Sequence, residues 1–467
     1  MVFLLIALGG SISARESRPP SPPTHATEPA AIGPKDRQLV RTLDHTRISQ
    51  LLAAMTLSRS IGSLALLSVI EGARVTRKRH ASSTKFIAGV PVLNYNLAYE
   101  GEEALVEGKT EGEWIVMLNP GTSDSQISKM CQMTTHGCNL AGHPDGGGVP
   151  FLEMRGTEQD LEAVIHTAAG AVKFIEPDQT ISLTPEEAAP EAATWGLNRI
   201  RADQRGRSGS SVTVFVLDTG IRHSHNDFGG RASSGLDMTV GSPRVCDGDA
   251  NCALDRQGHG THCAGTAAGE VYGVAPGAKV QSVKVLSDRG SGSWSWSNYA
   301  LDWMASSSVR PAVASMSLGG RGIVSSIGVA IDAAVSAGVT VVVAGGNSNS
   351  DSCNFSPAFV PNAITVGSTD SRDRRSSFSN YGSCTNIWAP GSQVTSLSHR
   401  TDTGTTTFSG TSMACPHVSG AAALVLDASQ NDAPAKVLQK MLDEAFEGAI
   451  TDLRRGDTNA LLNVQGL

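Results

Sequence analysis

Residues 212–220 read VTVFVLDTG, an apolar stretch, interrupted by one threonine, that runs directly into an aspartate. Such a run at 212–217 predicts a strand buried on both faces, as in a parallel sheet covered by helices. Asp218 then lies at the carboxyl end of the strand, the edge where open α/β sheets carry their sites. The segment predicts an α/β fold with a buried carboxylate, which by itself is also compatible with a structural role.

A histidine and an asparagine are presented in a similar way. Residues 258–265, GHGTHCAG, place His259 between glycines at the start of a small-residue helix. Histidine can act as a general base because it accepts and returns a proton near neutrality. Residues 339–347, VTVVVAGGN, form a predicted strand that ends at Asn347, whose amide can donate to a developing oxyanion. Each residue taken alone is better explained by local structure, as a packed histidine or a turn asparagine.

A serine completes the set. Residues 408–417, FSGTSMACPH, place Ser412 at the start of an apolar helix that reaches about residue 426. At this position its backbone N–H and the helix dipole face an incoming anion, although a lone serine here is better explained as a helix N-cap. A serine is a weak nucleophile until a base takes its proton, the base needs a carboxylate to orient it, and the tetrahedral intermediate needs donors. Asp218, His259, Asn347 and Ser412 supply all four parts. A zinc pair at His259 and His262 is disfavoured because no glutamate separates them.

The motifs VLDTGI, GHGTHCAG, AGGN and SGTSMACPHVSG make the chain resemble the subtilase family, most closely its proteinase K-like branch, over about residues 194–467. The resemblance implies an α/β, subtilisin-like fold with a mostly parallel sheet flanked by helices. It also implies a secreted serine endopeptidase with Asp218, His259 and Ser412 as its triad and Asn347 as oxyanion donor. Polypeptides are the implied substrates, and the chemistry requires no cofactor.

Matching positions imply the substrate-binding residues. Gly290, Ser291 and Gly292 are expected to pair with substrate as an added β-strand. The expected S1 walls are Ser317, Leu318, Gly319, Ala344 and Gly346. Because these walls are mostly small, we expect a roomy pocket and a preference for large apolar or aromatic P1 residues.

The expected domain organisation has five parts. Residues 1–73 are a signal region with an upstream extension, 74–111 a linker, 112–183 a small α+β, ferredoxin-like propeptide, 184–193 an acidic processing linker and 194–467 the catalytic domain. The propeptide interpretation comes from the resemblance and implies an intramolecular inhibitor. Strands at 114–118 and 172–175 and a helix at 158–169 are expected from the apolar spacing.

Two segments resemble signal peptides, and one chain can use only one of them. Residues 1–14 are apolar and end in small residues but lack a positive start, whereas Met55 precedes Arg59, an apolar run at 61–70 and a small-residue site near Ala73. The start codon at Met1 or Met55 therefore stays open. Either segment predicts a secreted protein without a stable membrane insertion.

The composition is that of a soluble globular protein and does not indicate a nucleic-acid binder. The 467 residues carry 37 basic and 44 acidic side chains, a net charge of -7, which is too mild for a nucleic-acid footprint. A monomer is expected.

Among eight cysteines, the resemblance implies a disulfide between Cys353 and Cys384, and it leaves the pairing of Cys131, Cys138, Cys246 and Cys252 open. Cys263 and Cys415 are expected to be buried thiols.

The resemblance also raises a structural calcium ion. Pro361 and Ala363 match carbonyl ligands of a family site, but the matching acidic ligand is Asn386. Losing one negative charge should weaken that site.

Two rival functions remain. Asp218-Thr219-Gly220 and Asp402-Thr403-Gly404 form the two D-T-G signatures of an aspartic protease, although that interpretation leaves the histidine and serine motifs unexplained. A catalytically silent binding protein that keeps its propeptide in the cleft is the non-enzyme alternative.

Overall fold

The computed structural model describes residues 84–99, 111–168, 170–183 and 194–467. The predicted signal region at 1–73 and processing linker at 184–193 lie outside these residues. Helices of the described residues are α1 (Asp124–Met133), α2 (Glu158–Thr167), α3 (Trp195–Arg199), α4 (His259–Ala268), α5 (Trp294–Ser306), α6 (Ser325–Ser336), α7 (Thr411–Ala428) and α8 (Pro434–Glu444). The strands are β1 (Lys85–Ile87), β2 (Val90–Val92), β3 (Gly112–Leu118), β4 (Leu140–Ala141), β5 (Phe151–Gly156), β6 (Val172–Pro177), β7 (Thr180–Ser182), β8 (Thr213–Asp218), β9 (Ala232–Asp237), β10 (Arg244–Val245), β11 (Lys279–Lys284), β12 (Ser291–Ser293), β13 (Ala312–Met316), β14 (Gly320–Arg321), β15 (Val339–Ala344), β16 (Phe355–Ser356), β17 (Ile364–Thr369), β18 (Ile387–Pro390), β19 (Val394–Leu397), β20 (Thr405–Phe408), β21 (Phe446–Glu447) and β22 (Ala460–Leu461).

The main sheet lies in residues 194–467, which we call the C-terminal subdomain. Its strand order is β10-β9-β11-β8-β13-β15-β17-β18-β22-β21. The pairings from β9 to β22 are all parallel, and only the two edge pairings, β10 with β9 and β21 with β22, are antiparallel. The predicted strand at 212–217 is β8 and the predicted strand at 339–343 is β15. The expected subtilisin-like α/β fold with a mostly parallel sheet is confirmed.

Helices cover both faces of this sheet, because alternate residues of its strands point to opposite sides. Val214 and Val216 of β8 pack in the core that contains α4 and α7. Phe215 and Leu217 of the same strand pack in the second core, with α5 and α6. Within the described parts of the chain, no helix combines the length and hydrophobicity needed to cross a membrane.

The described residues from 84 to 183, here the N-terminal subdomain, form a six-stranded sheet with α1 and α2 packed on it. The strand order is β1-β2-β6-β3-β5-β4. Strands predicted at 114–118 and 172–175 are β3 and β6, and the predicted helix at 158–169 is α2. The expected linker at 74–111 instead contains β1 and β2, and β2 extends the sheet beside β6. The domain boundaries themselves stay predictions.

The two subdomains belong to one compact unit, Ser82–Leu467. Apolar side chains of β3, β5 and β6 share a core with α5 and α6. Two carboxylates of the N-terminal subdomain accept backbone N–H groups at the starts of these helices. Glu176 accepts from Ser325 and Ser326, both at 2.9 Å, and Asp178 accepts from Ser295 at 3.1 Å. Unpaired N–H groups at a helix start favour such negative partners.

Three disulfides hold the described chain. They join Cys131 with Cys138, Cys246 with Cys252, and Cys353 with Cys384. The pairing implied by the resemblance is therefore confirmed, and the two pairings left open by the sequence are resolved. Cys263 and Cys415 are buried outside these bridges.

Candidate active site

Asp218 and His259 form a buried pair at the carboxyl edge of the main sheet. His259 Nδ1 lies 2.7 Å from Asp218 Oδ1 and 2.8 Å from Asp218 Oδ2, and the two residues are 1% and 0% exposed. An ionised carboxylate only accepts, so the proton of the imidazole lies on Nδ1 and Nε2 carries the lone pair. This arrangement prepares Nε2 as a base.

Glycine allows the helix of His259 to approach the strand of Asp218. The Cβ of any larger residue at Gly260 would lie 2.2 Å from the carbonyl oxygen of Gly220 and 3.1 Å from Asp218 Cβ. Gly258, which precedes the helix, has a φ of +115°, a region that favours glycine. Glycine is therefore required at 260 by the close packing and favoured at 258 by the backbone conformation.

Ser412 is the second residue of α7, beside this pair. Its carbonyl oxygen accepts from Cys263 Sγ at 3.4 Å, and the same Sγ lies 3.8 Å from His259 Nδ1. Ser412 Oγ donates to the carbonyl of Ser317 at 3.3 Å. Ser412 is 5% exposed, and it lies at the floor of a cleft and at the positive end of a helix.

Asn347 follows β15 and is oriented by the start of α7. Its Oδ1 accepts from the backbone N–H and from the hydroxyl of Thr411, both at 2.8 Å. These bonds turn Nδ2 toward Gly410, where the position of a Cβ would lie 3.3 Å from Asn347 Nδ2 and 3.5 Å from Ser412 N. Asn347 Nδ2 and Ser412 N therefore both lie near Gly410, at the start of α7.

The expected substrate-binding residues meet in one cleft, which residues 180–183 occupy. β7 pairs with β12 in antiparallel register, with Ser182 opposite Ser291 and Ile181 opposite Gly292. Leu183 N donates to the carbonyl of Gly290 at 2.9 Å. This segment of the chain itself lies as an added strand on β12, whereas pairing of β12 with substrate stays a prediction.

Ser182 and Leu183 border a pocket of about 120 Å³. All five residues expected in the S1 walls line it, together with Asn347 and Ser412. Sequence reasoning missed Phe355 and Arg321, which also line it. Phe355 directly follows the Cys353 turn and carries no motif of its own, so no signal in the sequence could have placed it there.

Pro361, Ala363 and Asn386 are the residues that match a calcium site of the family. Asn386 Oδ1 accepts from Thr365 N at 2.7 Å, so the neutral side chain that stands where the family has an acid is tied to the backbone. Pro361 and Ala363 keep only their carbonyls as ligands. A calcium ion held by the Pro361 and Ala363 carbonyls stays an expectation, weakened by the missing carboxylate.

Among the described residues, the one group of at least three potential metal ligands is Asp218, His259 and Cys263, with ligand atoms within 4.8 Å of one another. Two of its three members are the hydrogen-bonded pair itself. His262 instead places Nε2 2.9 Å from the carbonyl of Val394, and burial lowers its pKa to about 3. The disfavoured zinc pair of His259 and His262 gains no support.

The two D-T-G aspartates have different partners. Asp402 pairs with Arg222 at 2.7 Å and accepts from Ser224 at 2.6 Å, and the hydrogen bond from Arg222 keeps the pKa of Asp402 below its usual range. An aspartic protease needs two carboxylates that share one proton, with one pKa raised. Asp218 pairs with His259 instead, which disfavours that rival.

Comparisons with known proteins agree with this geometry. The model of the subtilase family matches residues 209–467. An alkaline serine exoprotease A of Vibrio alginolyticus is 45% identical over 62% of this chain and 54% of its own length, so this chain spans about half of that relative. An extracellular serine proteinase of a Thermus strain is 45% identical over 62% of this chain and 70% of its own length.

Among solved structures, a cold-adapted subtilisin-like serine proteinase is 44% identical. The match has a TM-score of 0.54 and covers 59% of this chain and 99% of the solved one. The family match extends over more than half of the chain and contains Asp218, His259, Asn347 and Ser412. The chain therefore belongs to the subtilase family of serine peptidases.

Proposed function

We propose that this chain is the precursor of a secreted serine endopeptidase that is activated by its own cut. The observation that carries the proposal is the buried Asp218–His259 pair beside Ser412, at the end of a cleft in which a polypeptide segment already lies as an added strand. A cleft that binds extended backbone beside a nucleophile and a base suits peptide-bond hydrolysis.

In the proposed reaction, Ser412 Oγ attacks the scissile carbonyl while His259 Nε2 takes its proton. Asp218 holds the imidazole in the correct tautomer and stabilises the imidazolium that forms. Asn347 Nδ2 and the Ser412 N–H donate to the oxyanion. His259 then returns the proton to the leaving amine, and water hydrolyses the acyl-enzyme by the same route in reverse.

Residues 84–183 act, in this proposal, as the inhibitory propeptide. The strand pairing of β7 with β12 occupies the cleft, and Leu183 is the last described residue before residue 194. We infer that the chain cuts itself between about residues 183 and 194. The carboxylates of Glu176 and Asp178 at the starts of α6 and α5 support the same assignment, because they hold the segment in place.

Ser412→Ala tests the reaction. We expect this variant to accumulate as an uncut precursor and to leave casein intact, because the nucleophile is absent. The wild-type chain should yield a shorter product and digest casein, with the activity removed by a serine-directed phosphonate and unaffected by pepstatin. The readouts are the intact mass of the secreted product and the rate of casein hydrolysis. Equal casein hydrolysis by both forms would contradict the proposal.

The same experiment distinguishes the proposed protease from a catalytically silent binding protein. The occupied cleft favours this alternative, since a propeptide that never leaves would block substrate. A wild-type chain that keeps residues 84–183 attached and never hydrolyses casein would establish it.

We further propose a preference for large apolar or aromatic P1 residues. The pocket beside Ser412 is walled by small residues and by Leu318 and Phe355, and burial of an apolar side chain there gains about 25 cal/mol per Å². Cleavage profiling with a peptide library checks this. We expect P1 Phe, Tyr and Leu to exceed P1 Lys and Arg at least tenfold in kcat/KM, and a dominant basic P1 would refute the assignment.

Secretion rests on the signal-like segments at the N-terminus and on the extracellular relative. N-terminal sequencing of the unprocessed Ser412→Ala chain would also decide between Met1 and Met55. A precursor that begins upstream of Met55 and retains residues 19–29 would rule out the later start.

A further inference from the structure

The helix that carries His259 begins without a capping side chain of its own. Its N-cap residue is Gly258, which has no side chain to offer. The first N–H groups of a helix have no partner inside the helix and need acceptors when buried. Here His259 N donates to Gln257 Oε1 at 2.7 Å, and Thr261 N donates to Asp255 Oδ2 at 2.9 Å.

Asp255 accepts hydrogen bonds from two of the four N–H groups at this helix start, those of Gly258 and Thr261. Its Oδ1 accepts from Gln257 N at 2.9 Å and Gly258 N at 2.7 Å, and its Oδ2 also accepts from the hydroxyl of Thr261 at 2.6 Å. The residue is 6% exposed. A buried carboxylate with this many donors is fixed in position, because each rotation would leave several N–H groups unsatisfied.

The same carboxylate reaches the strand of Asp218. Thr219 Oγ1 donates to Asp255 Oδ1 at 2.9 Å and accepts from Gly260 N at 3.0 Å. Thr219 N in turn donates to Asp218 Oδ1 at 2.7 Å. Asp255 is thus bonded both to the turn that follows Asp218 and to the helix start that carries His259.

We propose that Asp255, acting through Thr219, is a positioning residue that sets the distance between Asp218 and His259. The inference rests on the proposed serine-protease function and deepens it. Asp255 lies four residues before His259 and touches neither substrate nor the reacting atoms, so its effect must come through the geometry of the pair. A misplacement of about 1 Å in such a pair can cost about a hundredfold in rate.

The test compares Asp255→Asn with Asp237→Asn in the full chain. Asp237 is equally buried, at 6%, and accepts from Thr239 N, Thr239 Oγ1 and Ala253 N, none of which belongs to the pair or to α4. An asparagine at 255 can accept on one side only, so its amide faces either the Thr261 donors or the Thr219, Gln257 and Gly258 donors. Active sites are counted by titration with a serine-directed phosphonate, so that kcat is given per active site, and KM is measured alongside it.

We expect Asp255→Asn to lower kcat by about ten- to a hundredfold with KM changed less than about twofold. We also expect it to shift or broaden the far-downfield NMR signal of the His259 Nδ1 proton. Asp237→Asn should keep the wild-type kcat and proton signal. An Asp255→Asn enzyme with wild-type kcat per site, or with the same loss as Asp237→Asn, overturns the inference.

If Asp255→Asn does not accumulate as folded protein, substitutions of Thr219 test the inference instead. Thr219→Val keeps the shape and removes the bond to Asp255, whereas Thr219→Ser keeps the hydroxyl. We expect the loss of kcat in the valine variant and rescue in the serine variant, and equal kcat in both overturns the inference. Failure of the proposed function is distinguishable, because the wild-type chain would then neither react with the phosphonate nor depend on Ser412.

Discussion

At Asn347, the oxygen and the nitrogen of the side-chain amide have different neighbours. The oxygen accepts two hydrogen bonds from Thr411, so the nitrogen faces Gly410, near the backbone nitrogen of Ser412. An oxyanion donor is useful only when it is held in place before charge develops. Thr411 is therefore as much a part of this arrangement as the amide itself.

Asn347→Ala should lower kcat by about a hundred- to a thousandfold, the range found when one such donor is removed, in subtilisin among others. KM should change little, because the interaction forms mainly in the transition state. Steady-state kinetics on a chromogenic peptide checks this. Thr411→Val serves as a comparison that keeps the amide but removes one of its two anchors, and we expect a smaller loss. A large rise in KM at constant kcat would assign Asn347 to ground-state binding instead.

The proposed catalytic residues could be recognised in the sequence, since each stands at the end of a strand or the start of a helix beside glycines. Asp255 and Thr219 were not singled out. An acidic residue shortly before a helix is a general start signal, which could have drawn attention to Asp255. Its bonds to both sides of the pair, however, depend on tertiary contacts that no local pattern contains.

At the scale of elements, the buried parallel strands were the most predictable because their apolar runs are continuous. β1 and β2 were missed, since Lys85–Ile87 and Val90–Val92 are only three residues long and expose Phe86. Such short strands gain their stability from neighbouring β6 and from the ion pair of Lys85 with Glu158 at 3.1 Å. Single-sequence patterns carry neither contribution.

The disulfides differ in the length of chain that they close. Cys353 and Cys384 are 31 residues apart and Cys246 and Cys252 are 6 apart. In the chain-entropy model, removing the first bridge costs about 3 to 4 kcal/mol of unfolding free energy and removing the second about 2 kcal/mol. Double Cys→Ser variants in the Ser412→Ala background, where self-digestion is absent, should rank in that order by guanidinium denaturation. The reverse order would show that native-state contacts outweigh loop closure.

At the scale of the whole molecule, several titrating groups hold the N-terminal subdomain. Burial raises the pKa of Glu153 to about 7 and the pKa of Asp178 to about 6, each with nearby acidic groups adding to the rise. The hydrogen bond to buried Asp302 raises the pKa of His143, which lies 2.7 Å from it. A raised pKa means that the folded state binds protons more tightly than the unfolded state.

These three shifts have the same sign. The stability that each group contributes is complete below its ordinary pKa and is lost as the pH rises through the raised value. We therefore expect the N-terminal subdomain of the Ser412→Ala precursor to be held more firmly at pH 5 than at pH 8. Amide hydrogen exchange of residues 111–183 at both pH values measures this.

Asp178→Asn is the matched variant, because it removes one of the three titrations while keeping an acceptor for Ser295. It should reduce the difference in protection between the two pH values. Protection that is equal at pH 5 and pH 8 in the unsubstituted precursor, or greater at pH 8, would contradict the assignment.

The pairing of β7 with β12 joins two parts of one polypeptide, and this fixes how the blockade depends on dilution. While the chain is intact, the blocking segment is present at an effective concentration set by its tether, in the millimolar range for short connections. Once the connection is cut, the same contacts become an ordinary bimolecular equilibrium. Under the proposed self-cleavage and export, dilution into a large volume would then release residues 194–467 without any change in the contacts themselves, because a bimolecular complex dissociates as its concentration falls.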